Sequence, residues 1–200
     1  MSAPDLSTIG AGFSEPVFAS QRSFRGALEA LSRPGRIVTV ESDAQAPQGL
    51  HAAACALALT LLDQDTRLWR SRTLDDERIG TYVRFHTGCR PAGAPGDADF
   101  ILCTGTDMPH LSELACGSGE YPDRSATLIV QVDALEAAEA GWRLSGPGIR
   151  SEARLAVAGL RSGFLSEWKA NAALYPCGVD VFLACGALLC GLPRTTRVEA

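Results

Sequence analysis

Two arginine-centred groupings hold the side chains with which this sequence could do chemistry. In Arg84-Phe85-His86-Thr87, a guanidinium and an imidazole flank an aromatic ring. A guanidinium forks onto phosphate oxygens and an imidazole can donate beside it, so the pair suits an anionic ligand. The same residues fall at the end of an expected helix, where basic side chains meet the negative end of the dipole, and C-capping is the plainer account. In Arg194-Thr195-Thr196-Arg197, two guanidiniums bracket two hydroxyls. That set fits an anion or a partner's carboxylates, and it also fits a solvated strand end. Asp180 stands between Val179 and Val181 at the head of an apolar run. A carboxylate there must be paired or exposed, so capping or an ion pair is the plainer role and ligand orientation the sharper one. Cys89, beside Arg90, is the cysteine to test for a basic, reactive setting.

Other chemistries lack their geometry. A P-loop needs a lysine after a glycine-rich turn, and the sole lysine, Lys169, follows Trp168 within an expected helix. No G-x-G-x-x-G follows a strand, and Gly117-Ser118-Gly119 lacks the spacing of a nucleophile elbow. His51, His86 and His110 are scattered, so no H-E-x-x-H or H-x-H pair offers metal ligands. Neither a catalytic residue nor a metal site nor a cofactor is assigned from the sequence.

The 200 residues carry a formal net charge of −5. The first hundred hold 10 basic and 12 acidic side chains and the second hundred 8 and 11, so neither half is basic. That excludes bulk nucleic-acid or anionic-membrane binding as a main role. The 7 cysteines are odd in number and none are spaced C-x-x-C, which argues against a disulfide framework and a zinc knuckle. Met1 to Gly12 lacks the pattern of a signal peptide, and the longest apolar stretch, Ala52 to Leu62, is shorter than the ~20 residues a span needs. Reduced cysteines and the absence of a targeting segment give a cytoplasmic expectation.

The elements that must position these residues follow from periodicity. Residues 1–15 are small and polar and are expected to be flexible, with a single domain over 16–200. Phe18, Phe24, Leu28 and Leu31 recur near helical spacing, and Pro34-Gly35 stops that helix. Ile37–Val40 reads as a strand, 43–49 as a loop and 50–62 as a buried helix. A short strand at Thr66–Trp69, a helix from Leu74 to Phe85 led by acidic residues, and a loop over 88–97 come next. Then come a strand at Phe100–Cys103 and a short helix at Met108–Leu114. Leu128-Ile129-Val130 within Ala126–Val132 has the continuous apolar character of a strand buried on both faces. Trp142–Ser145 alternates as a half-exposed strand, and Gly146-Pro147-Gly148 is a tight turn that leaves room for another backbone. Phe164–Leu174 is a helix, and Val179–Ala184 with Leu188–Leu192 a hairpin. The alternation predicts an α/β fold of three layers, α/β/α, with a mixed, mostly parallel sheet. Pro193 should release the chain from the sheet to run along its rim, with Arg194 turned inward onto a carboxylate such as Asp180 and Arg197 outward.

A set of stretches is spread over the chain from about residue 17 to the end: Phe24-Arg25 through Leu28, Ala30-Leu31-Ser32, Pro34-Gly35, Arg84-Phe85-His86-Thr87, Ala126 through Ile129, Gln131-Val132, Leu144 through Gly146, Gly148-Ile149, Gly178 through Asp180, and Leu192 through Thr196 with Val198-Glu199. Together, in this order, they resemble the PhnH family of the bacterial carbon–phosphorus lyase system. The resemblance implies the fold of the large domain of pyridoxal-phosphate-dependent transferases without the cofactor. It implies assembly with PhnG, PhnI and PhnJ, and self-association to a homodimer is expected of the isolated chain. With PhnI, PhnG and PhnL, such a subunit supports displacement of adenine from ATP by a phosphonate, giving a ribose 1-phosphonate 5-triphosphate. The catalytic centres of the family lie in other subunits, so the resemblance carries over no catalytic residue and the isolated chain is expected to be inactive. The alternative is a stand-alone enzyme or binding protein for an anionic small molecule, phosphonate or nucleotide, using Arg84, His86, Asp180, Arg194, Thr195 and Thr196.

Overall fold

Apolar runs and their breakers set the order of elements in the structure, a computed structural model that describes residues 9–200. Helix α1 (Pro16–Ser32) opens with proline in its first turn and ends before Pro34. Strand β1 (Val38–Thr39) and the apolar helix α2 (Ala52–Leu61) follow. Strand β2 (Arg67–Arg70) leads to α3 (Glu77–Thr87), whose N-cap Asp76 accepts from Arg78 N and whose C-cap is Gly88 at φ 74°. Then come β3 (Arg90–Pro91), β4 (Phe100–Thr104), β5 (Thr127–Gln131), β6 (Ala134–Glu136), β7 (Trp142–Ser145) and β8 (Ala153–Ala158). Helix α4 (Phe164–Ala172), β9 (Asp180–Cys185), β10 (Leu188–Leu192) and β11 (Arg197–Glu199) close the chain.

The 7-stranded sheet has the order β1-β10-β9-β5-β4-β2-β3. β3, β2, β4, β5 and β9 run parallel, and β10 is antiparallel to β9 and β1. The fold is therefore α/β with a mixed, mostly parallel sheet. β5 lies near the middle and is covered on both faces. Ile129, Leu102 and Phe182 pack towards α1, α2 and α3. Leu128, Val130, Ile101 and Leu183 pack towards α4 and a second sheet. Full burial of a side chain such as Leu128 or Ile129 contributes about 1.5–3 kcal/mol, and both have no exposed surface. Among the described residues, no helix is long and apolar enough to cross a membrane.

The second sheet departs from the sequence expectation of helices on both faces. It is 4-stranded and antiparallel, in the order β11-β7-β8-β6. Leu135, Leu144 and Leu155 point from it into the core. In Ala153–Ala158 three of the residues are alanine and Arg154 is charged, leaving only Leu155 and Val157 as larger apolar side chains, so its periodicity is faint. The tail, expected to run along the rim, leaves the large sheet at Pro193 but joins β7 as β11 instead. The free edge of β7 offers unpaired donors and acceptors there, which the tail satisfies. Met108–Leu114 forms only a 3₁₀ turn at Leu111–Glu113 rather than a helix. The helix expected from Leu74 begins at Glu77, after a separate 3₁₀ turn at Arg72–Leu74.

Of the segment expected to be flexible, residues 1–8 lie outside the described residues. Residues 9–15 are held in place: Ala11 exchanges hydrogen bonds with Gln45, and Ser14 N donates to Asp43 at 3.2 Å.

Helix α1 lies unusually close to the sheet. A Cβ at Gly191 in β10 would lie 2.6 Å from the carbonyl carbon of Ala30. Two residues on, in the same last turn of that helix, a Cβ on Gly148 (φ 83°) would lie 2.1 Å from the Ser32 carbonyl oxygen. The glycine turn at 146–148 thus admits the C-terminus of α1. A Gly191→Val variant should push α1 off the sheet and cost about 1–3 kcal/mol or more. Gly93, with nothing within 4 Å of its Cβ position, gives the control: Gly93→Ala should stay within about 0.5 kcal/mol. Urea unfolding midpoints measure both.

Candidate functional site

The hairpin β9–β10 pairs Val181 with Leu192, so Asp180 and the residues after Pro193 meet at one end of the sheet. Arg194 N and Nε donate to Asp180 Oδ1 at 2.7 and 3.1 Å, and Nη2 donates to Oδ2 at 2.6 Å. Nη1 donates to the carbonyls of Pro122 (2.9 Å) and Pro176 (3.3 Å), and Nη2 also to Ser125 Oγ. A guanidinium has five N–H donors, and these contacts use every one. The pair is 13% and 25% exposed. Arg194 therefore ties β9, the exit of β10 and two loops together, and keeps no donor for a ligand. The inward arginine is the one the sequence pointed to. Thr196 is buried; its carbonyl accepts from Trp168 Nε1 at 2.9 Å and its own hydroxyl has no partner among the described residues. Thr195 is half-buried beside it, with its carbonyl against Gly146. Arg197 is exposed on β11.

Arg84 and His86 sit elsewhere, on the last turns of α3. His86 Nε2 lies 3.0 Å from the Gly10 carbonyl, and its ring packs edge-on against Tyr82 at 4.5 Å and Phe85 at 5.0 Å. It anchors the N-terminal segment. Arg84 is exposed and has no ion-pair partner among the described residues. It lines an open cavity of about 290 Å³ with Arg70, Arg90, Glu77, Thr81 and Cys89. Most of the charge there is already answered. Arg70 donates to the carbonyls of Leu74 and Asp76 and pairs with Asp75 at 2.8 Å; Arg90 donates to Gln64 O and lies 3.5 Å from Asp65. Burial pushes the Cys89 thiol up, and the nearby Arg70 and Arg84 only partly offset this. Cys89 is therefore a buried thiol and not an activated thiolate. The strand β3 that carries Arg90 and the strand β9 that carries Asp180 are separated by β2, β4 and β5. At ~4.8 Å per strand that is about 19 Å, so the two groupings do not converge on one site.

Ligands in open α/β sheets sit where successive connections leave on opposite faces, at the carboxyl ends of the strands. Here that place is between β2 and β4. It is closed by the protein itself: Asp107 accepts from Thr73 N (2.7 Å), Thr104 N (3.2 Å) and Thr104 Oγ1 (2.6 Å). Burial alone would raise the pKa of Asp107, but the bonds from Thr104 and Thr73 outweigh it and hold the carboxyl at about 2. A second internal anchor joins α4 to the preceding loop. Glu167 receives Arg161 at 2.6 Å and Leu111 N at 3.0 Å. Burial works against its charge, and these partners still keep its carboxyl below the usual range.

Sequence reasoning left the outer face of α1 unassigned. Phe18, Phe24 and Leu28, which recur near helical spacing, point outward. Ala19, Ser23, Ala27 and Ala30 face the core instead. Val17 is 78% exposed, Phe18 59%, Leu28 50% and Phe24 45%. The signal was present as a competing stripe of small residues at i, i+4, i+8 and i+11, which matches the glycine opposite at 191. Large apolar side chains gathered on one exposed helix face mark an interaction surface.

The family model described as bacterial phosphonate metabolism protein (PhnH) matches residues 11–199. A Rhizobium meliloti (strain 1021) protein described as the alpha-D-ribose 1-methylphosphonate 5-triphosphate synthase subunit PhnH is 40% identical over 191 residues, covering 94% of each chain. A Stutzerimonas stutzeri protein described as putative C-P lyase subunit protein HtxG is 32% identical over 187 residues, 90% of this chain and 85% of that one.

The two tail arginines give opposite expectations. Arg194→Ala leaves Asp180 and two carbonyls unpaired and should cost about 3–5 kcal/mol, the range for breaking a buried pair. Arg197→Ala should cost under about 0.5 kcal/mol. Thermal melts followed by circular dichroism measure both, and equal small shifts would mean that the tail is merely solvated.

Proposed function

Because the chain belongs to the PhnH family of bacterial phosphonate metabolism proteins, we propose that it is a subunit of a cytoplasmic carbon–phosphorus lyase core assembly, docked on PhnI, PhnG and PhnJ. In that assembly it supports the step in which a phosphonate oxygen replaces adenine at the ribose carbon of ATP. The products are ribose 1-phosphonate 5-triphosphate and free adenine. The observation that carries the reading is the outer face of α1, where Val17, Phe24 and Leu28 are too exposed to serve the core. A subunit needs such a face, since a stable contact buries about 800 Å² per partner. Inside the chain, the charged clusters are spent on structure: Arg194 on Asp180 and two loops, Glu167 on Arg161, Asp107 on Thr73 and Thr104. Its part in the reaction is to complete the assembly, and the reacting groups belong to the other subunits.

The scaffold is read as the large-domain fold of pyridoxal-phosphate-dependent transferases used without the cofactor. Those enzymes hold the cofactor on a lysine, and Lys169 is exposed on α4. When isolated, the chain is expected to associate as a two-fold homodimer. The purified chain alone should release no adenine from ATP and methylphosphonate, and the reconstituted set with PhnI, PhnG and PhnL should. Turnover by the chain alone, read by chromatography of free adenine, would assign it the chemistry.

A second reading keeps a ligand role for Arg84, the guanidinium without an ion-pair partner among the described residues, at the 290 Å³ cavity beside β3. It predicts that titration calorimetry detects methylphosphonate or ATP binding, weakened about 10-fold or more in Arg84→Ala, the loss of one charge-assisted contact of 1.5–3 kcal/mol. Absence of heat at millimolar ligand would discard it.

A further inference from the structure

We infer that the outer face of α1 receives an amphipathic helix from another subunit, one with an apolar stripe flanked by carboxylates, and not a second copy of this chain. The inference rests on the subunit reading above and names what that subunit surface binds. At 100° per residue, Val17, Phe24 and Leu28 fall within about 40° of one another around α1. The half-buried Leu31 extends the stripe on one side. The 17 residues of α1 make a ridge ~25 Å long at 1.5 Å per residue. A straight apolar ridge of that length with anchors at i, i+7 and i+11 is one half of a helix–helix contact.

The charge beside the stripe decides the occupant. Arg25 lies about 80° round from Val17, on the flank opposite Leu31, and is in no ion pair among the described residues. Arg22 lies about 140° round, away from the stripe and on the side of Asp43. Glu29, the nearest carboxylate to Arg25 on that flank, is engaged by Arg36 at 3.1 Å. In an antiparallel two-fold pairing, the axis passes midway between Val17 and Leu28, and each flank meets its own copy. Arg25 lies within about 4 Å of that axis along the helix at 1.5 Å per residue. Its guanidinium would therefore face that of its own copy in a drying interface, where like charges are costly. A parallel two-fold pairing would set it against the flank of Ser20 and Leu31, which has no carboxylate. Neither symmetric arrangement answers this arginine. A foreign helix with Asp or Glu beside its apolar stripe answers both the stripe and the charge.

The test uses the co-expressed assembly, with an affinity tag on a partner subunit and this chain untagged. The native chain should co-purify. Phe24→Asp with Leu28→Asp should reduce retention about 100-fold, the loss expected for interface hot spots. Arg25→Glu should reduce it about 10-fold or more through like-charge contact, and Arg25→Lys should retain it. Unchanged melting curves confirm that these exposed substitutions leave the fold intact. Light scattering of the isolated chain should give the same mass for native and Phe24→Asp/Leu28→Asp protein. If the native chain does not co-purify, the subunit reading falls and takes this inference with it. If the native chain and both disruptive variants co-purify equally, the subunit reading stands and the α1 assignment fails. A dimer of the isolated chain that the Phe24/Leu28 variant splits would place a second copy on this face and overturn the inference.

Discussion

The structure depends on β5 being dry on both faces. Leu128, Ile129 and Val130 have no exposed surface, and parallel neighbours on either side take up the strand's hydrogen bonds. A strand of this kind is stable only if each face is covered, because otherwise several fully buried apolar side chains would return to water. One face takes three helices. The other takes α4 and a small antiparallel sheet, with Leu135, Leu144 and Leu155 filling the interval. Every other feature of the chain is arranged around these two coverings.

The helix side shows how covering a sheet can produce a binding surface. α1 lies so close to β10 that only glycine fits at 191 and only Ala and Ser fit on the helix face above it. Close approach through small residues gains contact between backbones and leaves no room for Phe or Leu inside. The large side chains of the same helix must then face outward, at a cost in exposed apolar area that a lone protein has no reason to bear. For a chain whose relatives carry the names of complex subunits, that exposed area is the surface we propose for assembly.

The end of the large sheet shows the opposite economy. Arg194 has all five N–H groups engaged by one carboxylate, one hydroxyl and two carbonyls from two loops. A planar fork with fixed donor directions can hold several chain segments at once, which a lysine cannot do. The same completeness removes it from any binding role. Arg84 is exposed and has no ion-pair partner among the described residues, and so of the two it alone keeps a ligand role open.

Much of the main sheet was legible in the residues themselves. The apolar run 128–130, the hairpin across Gly186, the glycine turn at 146–148 and the Asp180–Arg194 contact all follow from local periodicity, turn chemistry and the need to pair a carboxylate near buried strands. These are decisions made within a few residues or across one hairpin. Of the second sheet only β7 was legible, because Ala134–Glu136, Ala153–Ala158 and the polar tail become strands only by pairing with one another and with β7. The direction of α1 was not legible either. Its sequence contains two stripes, one large and apolar and one small, and hydrophobicity alone favours burying the large one. The narrow gap above Gly191 reverses that preference, and such a gap exists only once the strands and helix are in place. Sequence thus determined which segments are apolar and where they turn, whereas tertiary packing decided which face of α1 is left exposed, since steric fit is a property of two surfaces and not of one.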